Sequence, residues 1–335
     1  MLRDVLIGLG VLAIGSASAA EIPMTHLEAV SDVPGVDQKT QTEDVRFRNE
    51  HNDRMTVAVT VQGTGPYRFL VDTGADRTAI SRDIADRLKL SAGASASLHS
   101  VAGVSTVSTA TISDLQLTHK PVRVVDAPVL ESSNMGADGI LGVDSLRSQR
   151  IMFDFAGKTM SIVPAATRDF ADERDSIVIS ATRRNGRLVV TEAKIDGRIL
   201  TVVLDTGAQI SIGNEALRRQ MLGKRAPKDA QTVELQSVTG AKITGMYTVV
   251  PELSMGGVTV TNLAIVFADA HTFKQLGLNQ RPALLLGMNA MRAFKKVSID
   301  FANRKFRVVL PEHSELDTQM AGRVVPIASW IDRGL

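Results

Sequence analysis

Phe69-Leu70-Val71-Asp72-Thr73-Gly74-Ala75 is answered 133 residues later by Val202-Val203-Leu204-Asp205-Thr206-Gly207-Ala208. Each copy is an apolar run that ends in a carboxylate on a turn. The surroundings repeat at the same offset: Ile84 and Leu88 follow the first copy at helical spacing, and Leu217 and Met221 follow the second. The chain is therefore an internal duplication, and Asp on a turn is its best-marked point. Two equivalent carboxylates brought together on a pseudo-two-fold axis cannot both stay ionised, so they share one proton. One can then act as general base on a water while the other polarises a carbonyl.

Outward from these turns the pattern is that of strands. Residues 55–61 alternate apolar and polar side chains, Gly63-Thr64-Gly65-Pro66 turns the chain, and 67–71 return it to Asp72. In the second half 188–195 form the matching strand, Asp196-Gly197 the tight turn and 199–204 the return. Ser81 is placed to cap the short helix that follows the first motif. Ser100-Val101-Ala102-Gly103 and Ser237-Val238-Thr239-Gly240 lie between alternating stretches and read as tips of projecting β-hairpins. His99, beside the first tip, reads as a surface histidine. A third matched pair, Gly139-Ile140-Leu141-Gly142 and Leu284-Leu285-Leu286-Gly287, opens a short helix in each half, with Asp144 or Asn289 two residues on. A hairpin then closes each half, 151–155 with 159–163 and 297–301 with 305–309.

These elements give an all-β fold of two pseudo-symmetric lobes, 45–165 and 176–312, with the two Asp residues in the cleft between them. Residues 167–176 serve as the interlobe linker, 20–52 as a polar linker or pro-segment, and 313–335 as a tail whose strand-like piece is Val324-Val325-Pro326-Ile327. Residues 1–19 read as a signal peptide: Arg3 supplies the positive end, 5–14 an apolar core, and Ala17-Ser18-Ala19 the cleavage site. That core is ten residues long, against the roughly 20 a membrane span requires. Once the leader is removed no stable span remains, and the expected location is the periplasm or the outside of the cell.

Composition narrows the chemistry. The 38 basic and 36 acidic residues nearly cancel, and no basic run points to nucleic acid. The absence of Cys excludes disulfides, thiolate metal sites and a Cys nucleophile. The histidines (His26, His51, His99, His119, His271 and His313) show no metal-ligand spacing, so neither metal nor cofactor is expected. No G-x-S-x-G turn carries a Ser nucleophile. A glycosidase also uses two carboxylates, but nothing requires them on identical Asp-Thr-Gly turns. A non-catalytic peptide-binding module of the same fold would be free to lose one Asp, and this chain keeps both.

The order Asp-Thr-Gly-Ala, hairpin with a Gly at its tip, then apolar-apolar-Gly before a short helix resembles the aspartic peptidases. Leu70-Val71-Asp72-Thr73-Gly74-Ala75-Asp76 and Ile140-Leu141-Gly142 are closest to the retropepsin-like branch. The resemblance covers about 55–310, with both halves in one chain as in fused two-lobed bacterial exported members. It implies a monomeric endopeptidase acting on polypeptides, with Asp72 and Asp205 as the catalytic pair. Thr73 and Thr206 would cross-bond the two loops, and Gly74 and Gly207 would line the cleft. Substrate contacts would come from Ala75, Asp76, Ala208 and Gln209, and from flap tips at Val101, Ala102, Gly103, Val238, Thr239 and Gly240. The Arg that normally follows the apolar-Gly motif to pair with Asp76 is absent: Val143 and Met288 stand there. Neither tip carries the Tyr of the pepsin flap.

Overall fold

A computed structural model describes residues 3–6, 12–14, 44–46, 55–117, 121–173, 175–184, 186–223, 230–311 and 323–326. The leader's cleavage site, most of 20–52 and most of the tail lie outside them. Strands make up 54% of the structure and helices are few, with two closed six-stranded barrels in tandem. In the first barrel the order is Pro121–Leu130, Ala79–Ser81, Gly139–Leu141, Thr64–Val71, Thr56–Val61, Thr109–Gln116, and the last strand pairs back onto the first. The second runs Arg187–Ile195, Arg198–Leu204, Ala283–Leu286, Ser211–Gly213, Val258–Phe267, Lys242–Met255, and closes in the same way.

Local chemistry explains these elements. Thr56–Val61 buries Val57, Val59 and Val61 and turns its other side chains outward, the period of a half-buried strand. The turn after it falls at Gln62-Gly63, both at positive φ (49° and 71°), and Thr64 already belongs to the return strand. Gly63-Thr64-Gly65-Pro66 thus lies mostly in a strand, because two left-handed residues suffice for a tight hairpin. Asp196-Gly197 turns the second hairpin with φ of 48° and 74°. Ser81 caps Arg82–Arg87 by accepting from the Ile84 N–H at 3.4 Å, and Asn214, at the same repeat position, caps Glu215–Leu222 through Leu217 at 2.8 Å.

The closing hairpins of the two halves do not stay within their lobes. Gln149–Asp154 pairs with Lys296–Asp300, so both hairpins join one six-stranded sheet shared by the halves. Its edge strands are Ser176–Ser180 and Asp44–Arg46. Arg150 and Asp300, buried and 2.6 Å apart, tie the halves at its centre. Burial alone would raise the Asp300 pKa, but bonds from Asn303 and from Arg150 bring it below the usual carboxylate value. The stretch read as a linker is likewise tied down: Asp169 pairs with Arg307 at 3.0 Å and Glu173 with Lys296 at 2.8 Å. In the tail, Arg323–Pro326 adds to Val258–Phe267.

Candidate active site

Asp72 leaves the sheet where Thr64–Val71 ends, and Asp205 where Arg198–Leu204 ends. The same backbone clamp holds both. The Asp72 N–H donates to Leu141 O and the Asp205 N–H to Leu286 O, each at 3.0 Å. Val143 N–H reaches Ala75 O, and Met288 N–H reaches Ala208 O, each at 2.8 Å. The residues two places after each apolar-Gly motif complete the clamp. Asp144 Oδ1 accepts from the Thr78 N–H and hydroxyl, and Asn289 Oδ1 accepts from the Ser211 N–H and hydroxyl. Gly287 is required because a Cβ there would stand 2.8 Å from the Ile210 backbone carbon, and Gly142 faces Arg77 in the same way.

The two turns meet across the pseudo-axis. Thr73 N–H donates to Thr206 Oγ1 and Thr206 N–H to Thr73 Oγ1, each at 3.0 Å. The hydroxyls in turn donate across, Thr73 to Leu204 O at 3.0 Å and Thr206 to Val71 O at 2.6 Å. Four bonds therefore fix one loop against the other, leaving the carboxylates little freedom to rotate. Each carboxylate lies against the opposite glycine. A Cβ on Gly74 would stand 2.6 Å from Asp205 Oδ1, and one on Gly207 would collide with the Asp72 carboxyl group.

Both carboxylates are buried, each at 1% exposure. Asp72 Oδ1 accepts from the Gly74 N–H at 2.8 Å. Asp205 Oδ1 accepts from the Gly207 and Ala208 N–H groups at 3.1 and 3.2 Å, while Asp205 Oδ2 is buried with no hydrogen-bond partner. The Asp205 pKa is raised well above the ordinary carboxylate value, first by burial and then by the neighbouring Asp72 charge. Arg187 and the two N–H groups oppose that rise without cancelling it. The arrangement can hold one proton on the pair where free carboxyls are ionised.

Arg187, which the motifs do not reveal, is fully buried at 0% exposure. It begins the first strand of the second barrel and crosses into the first half, where Nε donates to Gly74 O at 2.7 Å and Nη2 reaches the same oxygen. Nη2 also lies 3.9 Å from Asp76 Oδ1. Asp76 thus has its Arg after all, supplied by the other half instead of by position 143. At that distance the attraction does not offset burial, and the Asp76 pKa stays above its ordinary value. A signal was present in the repeat: Arg54-Met55 stands where Arg187-Leu188 does, at the offset of 133.

The remaining expected residues fall around the pair. Ala75 and Ala208 are buried, and Asp76 and Gln209 half-buried. The hairpin tips do not project into solvent. Val101 is 1% exposed and shares an apolar cluster with Val203, Ala208 and Ile212 of the second half. Val238, also 1% exposed, joins Leu70, Ala75 and Ile140 of the first. Ala102, Gly103, Thr239 and Gly240 are half-buried beside them. Burial of each Val in the other half drives the tips inward. Among the described residues no group of three or more side chains could hold a metal ion, and no helix is long and apolar enough to cross a membrane.

Comparison with protein families gives two matches in tandem. A gag-polyprotein aspartyl protease model matches residues 57–148, and an aspartyl protease model matches residues 191–290. A search of curated proteins returns no match. Each match contains one Asp-Thr-Gly turn, one tip and one apolar-Gly motif, so the repeat and the families divide the chain alike. The chain belongs to the retropepsin-like aspartyl proteases, with two such domains in tandem.

Proposed function

We propose that the protein is an endopeptidase that cuts extended polypeptides with a water held between Asp72 and Asp205. The observation that carries this reading is the pair itself: two buried carboxylates, each against the other's glycine, with the proton affinity of Asp205 raised by burial and by Asp72. Asp205 carries the shared proton and Asp72 is the base. Asp72 takes a proton from water as its oxygen bonds to the scissile carbonyl carbon, and the Asp205 proton passes to the carbonyl oxygen. The tetrahedral diol then returns one hydroxyl proton as the C–N bond breaks. The leaving nitrogen is protonated, and the pair is left with its single proton. No covalent intermediate forms.

The flaps support an extended substrate. Arg3–Leu6 pairs parallel with Ala96–Ser100, placing Leu6 opposite His99. Leu12–Ile14 pairs antiparallel with Thr232–Gln236, placing Leu12 opposite Gln236. His99 and Gln236 are equivalent, each preceding the Ser of its tip. A single strand crossing a two-fold axis must run parallel to one flap and antiparallel to the other, as these two pieces of one segment do. Both flap edges thus accept an extended chain through backbone hydrogen bonds. A synthetic peptide of residues 1–19, added to protein that starts at Ala20, should raise the apparent KM and leave kcat unchanged. An unchanged KM would contradict flap-edge binding.

The same leader supports export to the periplasm or beyond, where we assign the protein to processing a restricted set of envelope proteins as a monomer. N-terminal sequencing of the exported protein should begin at Ala20. Cleavage-site profiling on a peptide library, with Asp72→Asn as control, tests the activity. The pH dependence is a second test. Burial raises the pair, and Ala75 and Ala208 offer no hydroxyl to stabilise its ionised form. The optimum should therefore lie above the titration range of unperturbed carboxyls. Initial rates that peak below about pH 3, where unperturbed carboxyls are mostly protonated, would contradict it.

A further inference from the structure

Among the described residues a side-chain pair ties each flap to the opposite half, and the two pairs differ in chemistry. On the second flap Gln236 Nε2 donates to Asn134 Oδ1 at 3.3 Å, and Gly240 packs directly against the same Asn134. Asn134 lies on Ser132–Met135, the short helix after the strand Pro121–Leu130. On the first flap the equivalent residue is His99, whose Nδ1 lies 2.9 Å from Nε2 of His271. His271 opens His271–Gln275, the helix after the strand Val258–Phe267, so the partner is equivalent too. The two rings are nearly parallel, 13° apart with centroids separated by 5.2 Å. The backbone strengthens this tie, since the His271 N–H donates to Val101 O at the tip at 2.9 Å.

An amide pair carries no titratable proton. An imidazole pair does, and its bond needs an N–H on one ring and a lone pair on the other. That condition is met when both rings are neutral, and equally when one is a cation. It fails when both are cations: two N–H groups then face each other across 2.9 Å, and like charges repel. We propose that His99 and His271 are a titratable latch on the first flap, which acid releases while the Gln236–Asn134 tie holds the second flap closed. The two histidines are positioning residues. They touch no reacting atom and act through the seat of Val101.

The surroundings favour release over a stable double cation. His271 has its pKa lowered first by burial, then by His99 and by Lys274, with Asp269 opposing. Lys274 is itself paired with Asp269 at 3.0 Å, so the helix offers His271 no uncommitted carboxylate. The Arg184 guanidinium stands against Gly277 just beyond that helix and adds positive charge. Within Ala96–Ser100 His99 is the one titratable residue. While the leader is attached, its strand brings Arg3 and Asp4 opposite Ala96 and Ser97, and apolar Leu6 opposite His99 itself. Gln275, 3.1 Å from His271 Nε2, is neutral. Because the closed state lowers the affinity for the second proton, the latch is at full strength above the ordinary imidazole value of about 6.5. As pH falls below that value the open fraction rises by about tenfold per unit, until the closed pair itself takes up the second proton.

The second flap shows how to remove titration while keeping a tie. His99→Gln with His271→Asn copies the Gln236–Asn134 chemistry onto the first flap. The chain has no Cys, so Ala102→Cys at the tip and Gln280→Cys on the exposed surface of the second half accept spin labels at those sites alone. The measurement is the label-to-label distance in the Asp72→Asn background, so it reads flap position whether or not the protein cleaves peptides. It is made about one unit above and about one and a half units below the imidazole value of about 6.5. With both histidines present, a short distance should dominate at the higher pH and a longer population should grow at the lower. The Gln/Asn variant should stay short at both. In the protein with Asp72 restored, the ratio of kcat/KM between the two forms should change across the same range. Identical distances at both pH values, or a Gln/Asn variant that opens in acid like its parent, would overturn the latch.

Discussion

Asp72→Asn and Asp205→Asn, each alone, are expected to lower kcat/KM for peptide hydrolysis by at least about four orders of magnitude. Asn matches Asp in shape, and its amide oxygen can still accept from the Gly74 N–H, or from the Gly207 and Ala208 N–H groups. The loops should therefore stay closed by the Thr73–Thr206 bonds, which use no carboxylate atom. What Asn cannot do is exchange a proton. With Asp72 replaced there is no base for the water. With Asp205 replaced there is no acid for the carbonyl, and Asp72 loses the partner whose charge couples to it. Far-UV circular dichroism and thermal unfolding should match the parent. A variant that keeps substantial activity would show that the two residues do not work as a pair.

The second large effect belongs to a residue outside every motif. Arg187→Met should cost about 2 to 4 kcal/mol of stability. The thioether fills much of the space, but Gly74 O loses both guanidinium donors inside the protein and Asp76 loses its nearby cation. A buried carbonyl left without a donor bears its full desolvation cost. Arg187→Lys should recover only part of this, because one ammonium cannot reproduce the planar fork. The sign of the pH effect also follows. Arg187 lowers the pKa of both Asp205 and Asp76, so its removal lets both rise further. The alkaline limb of the rate profile should then move to higher pH. Denaturant titration checks the first outcome and initial rates against pH the second. A stability change within about 0.5 kcal/mol, the range of an ordinary surface substitution, would contradict the structural role.

Much of the site was legible because the duplication wrote it twice. Asp72 and Asp205 ended strands in both copies, and Thr73 and Thr206 stood at one offset, so their mutual bonds follow from symmetry once the loops meet. Alternation at 55–61 and Asp196-Gly197 placed strands and a turn, because period and left-handed residues are local properties. Partners are not local. The closing hairpins read as belonging to separate lobes, yet Gln149–Asp154 pairs with Lys296–Asp300, which period-two alternation cannot reveal. Arg187 belongs to none of the repeated motifs, and nothing in its own neighbourhood marks it as fully buried. His99 read as a surface residue for the same reason: its partner His271 lies 172 residues away. The inward seating of Val101 and Val238 was hidden as well, because each is buried by the opposite half.

Catalysis here depends on Asp72 and Asp205 holding one proton between them. Titration of the carboxyl carbons by NMR, in protein labelled with carbon-13 at Asp, tests it without any substrate. Two resonances, lost singly in Asp72→Asn and Asp205→Asn, should titrate in two coupled steps. One step should lie well above the usual Asp value of about 3.9. Asp72→Asn should bring the Asp205 titration down, because the Asp72 charge that raises it is gone. Two independent titrations near the ordinary value, unmoved by replacement of the partner, would contradict it.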